Sequence, residues 1–181
     1  QIFTTLKRLL DTRQLRGERV SREYAMQANQ NRMELAAGLD HDRWAQLYSR
    51  LSAWDIEIEE YNDPGLAQIH ADQKKEFNRE FSRYIEKNYR QWLRGGGPVM
   101  SHSLLDEYVA PALKRDEKVY LFVIDCFRYD HWLAIEPMLE NLFQIQRQLY
   151  YSILPTATPF CRNALFAGLM PREVSNLFPD I

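Results

Sequence analysis

The sequence predicts an α + α/β chain, a helical bundle followed by a βαβ unit that opens a parallel sheet. Three observations carry this. Apolar residues recur at helical spacing through roughly the first half of the chain. Gly95-Gly96-Gly97-Pro98 then interrupts the pattern. Beyond it, Val119-Tyr-Leu-Phe-Val-Ile124 is an unbroken apolar run that stops at Asp125, and a second β-rich run ends at Leu154.

The first helix runs from Gln1 to about Gly38. Ile2, Phe3, Leu6, Leu9 and Leu10 lie on one face, and Val20, Tyr24 and Met33 continue a thinner stripe. Gly17 is expected to bend or break it, since glycine costs roughly 1 kcal/mol in a helix interior relative to alanine. Lys7, Arg8, Arg13, Arg16, Arg19 and Arg22 face only two acids before residue 23. No aromatic residue interleaves with them between Lys7 and Arg22, so a solvated face is favoured over a nucleic-acid contact.

Gly38-Leu39-Asp40 reads as a stop followed by an N-cap, with Asp40 or Asp42 as the capping acid. Trp44, Leu47, Tyr48, Leu51, Trp54 and Ile58 form the apolar face of a second helix, and Asn62-Asp63-Pro64-Gly65 breaks it. A third carries Leu66, Ile69, Phe77, Phe81, Tyr84, Ile85, Tyr89 and Trp92. At helical spacing these aromatics are core rather than a cofactor box. His41 and His70 stand alone and read as surface histidines. Such a bundle spaces, dimerises or transmits.

The glycine run reads as a flexible linker stiffened at Pro98. Ser101 or Ser103 caps a helix through Leu113, with Pro111 near its end. The apolar run Val119–Ile124 reads as a strand buried on both faces. A helix from about Arg128 to Phe143 follows, interrupted at Pro137, with Trp132, Ile135, Leu139 and Leu142 packing inward. Gln144 to Leu154 reads as the second strand, marked by Ile145, Leu149, Tyr151 and Ile153. Pro155-Thr-Ala-Thr-Pro159 leads into a last helix through Gly168.

A net charge of −2 argues against a protein that coats nucleic acid or an anionic membrane. No apolar run approaches the ~20 residues of a membrane span, so no membrane insertion is expected, and no signal peptide opens the chain. Cys126 and Cys161 form neither a disulfide framework nor a CxxC zinc motif. A reduced, cytoplasmic setting fits. Two strands are too few for a free-standing parallel sheet, and the chain lacks an initiator Met. It is therefore expected to be an excerpt of a longer protein.

The chemistry is expected at the strand ends. Asp125 either caps the helix that follows or stands where open α/β sheets gather ligands. Thr156 and Thr158 close the second strand, and a helix begins just behind Thr158. A carboxylate, a hydroxyl and a helix N-terminus suit phosphoryl transfer or phosphoester hydrolysis at a divalent metal.

Two stretches carry a resemblance. Val123-Ile-Asp-Cys-Phe-Arg-Tyr-Asp-His-Trp132 and Leu154-Pro-Thr-Ala-Thr-Pro-Phe-Cys-Arg-Asn-Ala-Leu-Phe-Ala-Gly-Leu-Met-Pro171 resemble the start of a PglZ domain of the alkaline phosphatase superfamily. That superfamily's pattern is a strand ending in Asp-Gly-Leu-Arg-x-Asp, then Pro-Thr-x-Thr running to Thr-Gly-Leu-x-Pro. The resemblance implies that the strands begin an alkaline-phosphatase-like parallel sheet. It also implies that Asp125 binds zinc and that Thr158 is the nucleophile touching the same metal, with two zinc ions in the whole domain. Nucleotide pyrophosphatase relatives carry Asn-His three and four residues after the nucleophile. Here Cys161-Arg162 stands there, with Asn163 one place later. Arg162, Asn163 and Thr156 are the remaining phosphate- or substrate-binding candidates.

Gln1 to Leu10 is similar to the last helix of a CheY-like receiver domain. Receiver, bundle and PglZ in that order resemble the PorX-like response regulators of Bacteroidetes. This implies residues 1–16 as the receiver's end, 17–97 as a helical linker and 98–181 as an incomplete PglZ domain. It also implies a zinc-dependent phosphodiesterase or phosphatase acting on a phosphodiester or nucleotide. Its expected partners are a sensor histidine kinase acting on the receiver, a sigma factor or type IX secretion protein, and a second copy in a homodimer. The alternative is a non-catalytic signalling scaffold that dimerises and binds partner proteins through a degenerate phosphatase fold.

Overall fold

The computed structural model describes residues 2–179, with side chains from residue 17 onward. The apolar stripe over Ile2–Leu10 and the basic residues before Gly17 lie outside the described side chains. In chain order the helices are α1 (Ile2–Ala37), α2 (His41–Tyr61), α3 (Pro64–Trp92), α4 (Leu104–Tyr108), α5 (Ala110–Lys114), α6 (Tyr129–Leu139), α7 (Thr158–Ala167) and α8 (Pro171–Leu177). A 3₁₀ turn at Ser101–Ser103 precedes α4. The chain divides into two compact units, Gln1–Lys87 with Phe127–Phe143, and Asn88–Cys126 with Gln144–Ile181.

The first unit is the helical bundle. Val20, Tyr24 and Ala28 of α1 bury with Ile58 and Leu66 in one cluster. Leu39, Trp44, Leu47, Leu51 and Phe77 make another, flanked by Leu35, Phe81 and Tyr84. Both draw on the apolar stripes, because a helix that buries one face needs i, i+3, i+4 spacing, but Met33, Tyr48 and Ile69 of those stripes are exposed. Asp40 is the N-cap of α2, its Oδ1 accepting the Arg43 N–H at 2.9 Å. Such a cap stabilises by about 1 kcal/mol. Asn62 ends α2 in the left-handed region at φ 57°, and its N–H bonds Ile58 O at 2.9 Å. Asp63 then accepts from the N–H groups of Gly65 (2.8 Å) and Leu66 (3.1 Å), starting α3.

Gly17 does not break α1, which continues through it. A Cβ there would lie 1.6 Å from Tyr61 Oη, so the glycine is the floor on which that ring lies. In the same unit α6 sets Tyr129 against Tyr48 of α2, ring centroids 5.7 Å apart. Pro137 lies inside α6 without ending it. Trp132 and Leu139 are half-buried, whereas Leu142 is 72% exposed and falls outside the helix, so the inward face is narrower than the spacing suggests.

The second unit overturns the expected sheet. Among the described residues there is no strand and no βαβ unit; the pairing present is one isolated parallel bridge, Met100 with Tyr151. The run Val119–Ile124 is irregular coil, with Tyr120 80% and Phe122 82% exposed. The reason is physical. A helix closes its hydrogen bonds within its own segment, but a strand closes them on a neighbour, and this run has none among the described residues. Strand propensity measures fit to such a neighbour rather than a backbone preference.

What holds this unit is a small core of Met100, Ile153 and Ala164, all at most 2% exposed, with Tyr89, Trp92, Tyr151, Cys161 and Met170 around it. Trp92 meets Tyr151 edge-on at 5.1 Å. The glycine run is a closed turn rather than a loose joint. Arg94 N–H bonds Gln91 O at 2.9 Å, Gly95 N–H bonds Trp92 O at 3.1 Å, and Gly95 and Gly96 take φ of 112° and 74°. A Cβ on Gly97 would lie 2.6 Å from Trp92 Cβ, so the chain turns against its own tryptophan.

Candidate functional site

Thr158 is the first residue of α7, following Ala157 at φ −76°, ψ 138°. Both flanks of the segment ahead of it are fixed. Tyr151 N–H bonds Val99 O at 2.9 Å and Ser101 N–H bonds Tyr151 O at 3.1 Å. Ile153 N–H donates to Ser101 Oγ at 3.2 Å, and Leu154 N–H to the phenol oxygen of Tyr89 at 2.7 Å. On the helix side, buried Ala164 seats α7 on Met100 and Ile153. The Cys161 sulfur lies 3.1 Å from Ser152 Oγ and 3.7 and 3.6 Å from the carbonyl oxygens of Ile153 and Pro155. Thr156 and Thr158 are therefore exposed on a short turn held at both ends.

The helix end offers less to an anion than its position suggests. Pro159 has no N–H, and the N–H groups of Phe160 and Cys161 already bond Ala157 O at 3.0 and 3.1 Å. The Thr158 N–H is what remains of the first turn, together with the positive end of the helix dipole. Arg162 sits one turn along from Thr158 at i+4, exposed, and among the described residues it joins no ion pair. Asn163 is half-buried on the neighbouring face.

Asp125 does not cap the following helix. The N-cap of α6 is Arg128, and it makes no side-chain cap bond. Instead Asp125 is exposed in a turn, its Oδ1 accepting the N–H of Cys126 at 2.9 Å, with Cys126 in the left-handed region at φ 56°. Asp130 pairs with Arg128, whose Nε donates to Oδ1 at 3.0 Å. That hydrogen bond holds the Asp130 carboxyl below the usual range, and the Arg128 charge adds to it, outweighing burial. No hydrogen bond joins Asp125 to Thr158. Among the described residues no group of three or more His, Cys, Asp or Glu side chains is placed to hold a metal.

Tyr89, Ser101 and Cys161, which position the turn, carry no motif of their own. The hydroxyls of Tyr89 and Ser101 act on backbone 65 and 52 residues away in sequence, which spacing does not reveal, and Cys161 acts on backbone six and eight residues back. His70 is different. It is buried at 4% exposure, and its position beside Leu66, Gln73 and Phe77 at helical spacing was the available signal. Its Nδ1 is 3.2 Å from Tyr24 Oη and its Nε2 is 3.0 Å from Asp55 Oδ1. Lys74 Nζ reaches Asp55 Oδ2 at 2.6 Å. Burial works against the Asp55 charge, but the hydrogen bonds from His70 and Lys74 outweigh it and hold the carboxyl below its ordinary range. Burial also pushes the Tyr24 hydroxyl up to about 12, with the Arg32 charge opposing and Asp55 adding.

Residues 14–93 match the PorX response regulator linker domain, and residues 104–181 match the BREX system PglZ alkaline phosphatase-like domain. No curated protein matches the chain. Among the described residues, no helix is long and apolar enough to cross a membrane.

Proposed function

We propose that this PorX-like chain, a response-regulator linker followed by an alkaline phosphatase-like PglZ segment, belongs to a signalling protein whose output domain hydrolyses a phosphodiester. The observation that carries the reading is Thr158. The residue is exposed at the first position of α7, in the turn whose flanks are pinned by Tyr89, Ser101 and Cys161, and it lies within the phosphatase-like match. A nucleophile needs this combination of access and fixed backbone.

The family implies zinc. Asp125 and Thr158 are oxygen donors of a suitable kind, and neither is consumed by an ion pair. Two donors fall short of the three protein ligands that a catalytic zinc site takes, so the described residues do not complete the site. In this reading Asp125 and Thr158 are part of a ligand set whose other members lie outside them. Bound zinc, as one or two ions, would favour the alkoxide form of the hydroxyl and polarise a phosphoryl oxygen. The chain's own residues do the rest. Thr158 Oγ1 forms the bond to phosphorus as the leaving oxygen departs, and water later frees the threonine. Arg162, one turn away, offers planar donors to the phosphoryl oxygens. Asn163 and Thr156 are secondary contacts.

The proposed setting follows from the order of domains. A sensor histidine kinase would phosphorylate a receiver, the bundle would transmit that state within a cytoplasmic homodimer, and a sigma factor or type IX secretion protein would read the output. In the full-length protein, Thr158→Ala should lower turnover of a chromogenic phosphodiester by at least 10³-fold with an unchanged circular dichroism spectrum. Thr158→Ser should keep measurable turnover, and Asp125→Asn should lower both zinc content and rate. Wild-type rates from Thr158→Ala would end this assignment and leave Thr156 as the next hydroxyl to test.

A further inference from the structure

Helix α6 lies inside the phosphatase-like match, yet it folds with the linker. It packs on α2, with Tyr129, Trp132, Leu133 and Leu139 as a half-buried stripe at i, i+3, i+4 and i+10. Tyr129 lies against Tyr48 of α2, the ring planes tilted by 34° at a centroid distance of 5.7 Å.

The seat is shallow. Among the described residues, neither buried cluster of the bundle takes a residue from α6. The most enclosed side chain of α6 is Glu136, at 9% exposure, a carboxylate rather than an apolar anchor. The Trp132 indole N–H is buried without an acceptor among the described residues, a cost that release to water relieves. Nor does α6 hold itself together. Its 11 residues fall short of the roughly 12–15 that an isolated helix needs in water. Pro137 lacks the N–H that would reach Leu133 O, and the N-cap Arg128 makes no side-chain cap bond. Both flanks are exposed, Tyr120 and Phe122 before the helix and Leu142 and Phe143 after it.

From these observations we infer that α6 is a docking helix, helical only while seated on α2, and that its seating orders the turn carrying Asp125. Cys126 and Phe127 alone separate that acid from the Arg128 cap, so one side of the Asp125 turn is fixed by a helix that the linker holds. Release unwinds α6 and merges the two exposed stretches into one irregular segment. A disturbance at the Tyr48 face of α2 therefore reaches Asp125 through the chain itself. What it controls there rests on the reading of Asp125 as a metal ligand, whereas the docking does not.

Amide hydrogen exchange on the full chain tests the seat. Tyr48→Ala is the first variant, since Tyr48 is 52% exposed and belongs to neither buried cluster. Protection of the amides from Leu133 to Glu136 should fall at least tenfold, while the Phe77 amide in α3 keeps its protection. Tyr129→Ala should produce the same fall, and the double variant no further one, because each single change removes the same contact. Unchanged α6 protection after Tyr48→Ala, or falls that add in the double variant, overturns the docking. If Phe77 loosens as well, Tyr129→Ala is read alone, and anything less than a tenfold fall in α6 with Phe77 unchanged overturns it. Backbone ¹⁵N relaxation reads the turn. The order parameters of Cys126 and Phe127 should drop below about 0.6 in either variant, and rigid values there overturn the ordering of Asp125. Neither readout uses metal or turnover, so the result is separate from that of the phosphodiester reading.

Discussion

Cys126 occupies a backbone conformation that side chains resist. At φ 56° its Cβ crowds the following carbonyl, which costs roughly 1–2 kcal/mol for a non-glycine residue. Glycine removes the crowding but loses about 0.5–1 kcal/mol of its own in unfolded-state freedom. Cys126→Gly should therefore stabilise the chain by about 0.5–1 kcal/mol, read as a higher urea midpoint with unchanged slope. A lower midpoint would show that the sulfur makes contacts worth more than the strain. The same turn shows how far the site was legible. Asp125 and Thr158 stood out because an acid or hydroxyl at the end of an apolar run is unusual. Whether Asp125 capped a helix was open until Arg128 took that position. The phosphate cradle expected at α7 shrinks for a reason the sequence did contain, since Pro159 donates nothing, and for one it did not, the two bonds to Ala157 O.

At the scale of helices the sequence was legible wherever a segment closes its own hydrogen bonds. The α2 cap at Asp40, the break at Asn62 to Gly65 and the stripes of α2 and α3 all follow from local spacing. The stripe's depth did not follow. Phe77 is 2% exposed and central to its cluster, whereas Phe81 packs at the edge, its ring 5.2 Å from Trp44. Phe77→Ala should cost about 3–5 kcal/mol and Phe81→Ala roughly half as much, measured by chemical unfolding. Equal losses would mean that the two rings are equally enclosed. A pH dependence belongs to the same bundle. Asp55 has a folded pKa below its unfolded value of about 3.9, so the folded chain binds fewer protons there. Its contribution is present above that value and is lost as pH falls through the depressed folded one. Asp55→Asn should cost about 1.5–3 kcal/mol at pH 7, with the deficit shrinking toward pH 3 as the wild-type carboxylate takes up its proton. A deficit independent of pH would assign the loss to packing.

For the whole molecule, the informative segments are those that belong to no helix. Val119–Ile124 was the strongest strand signal in the sequence, yet here it is open coil, because pairing is decided by residues far away and periodicity cannot supply them. Leu142 and Phe143 sit in a second such stretch, 72% and 63% exposed. Proteases cut where several consecutive residues can be drawn out without breaking helix hydrogen bonds or a core. Chymotrypsin should therefore cleave first after Tyr120, Leu121 or Phe122, and after Leu142 or Phe143. Tyr48 is 52% exposed but lies in the middle of α2, where cleavage requires the bundle to open, so it should persist through the early time points. Mass spectrometry of a time course distinguishes the cases. Early fragments ending at Tyr48 or within α3 would mean that the bundle is the weaker unit. Early fragments ending at residues 120–122 or 142–143 would show that each core outlasts the apolar stretches left outside it.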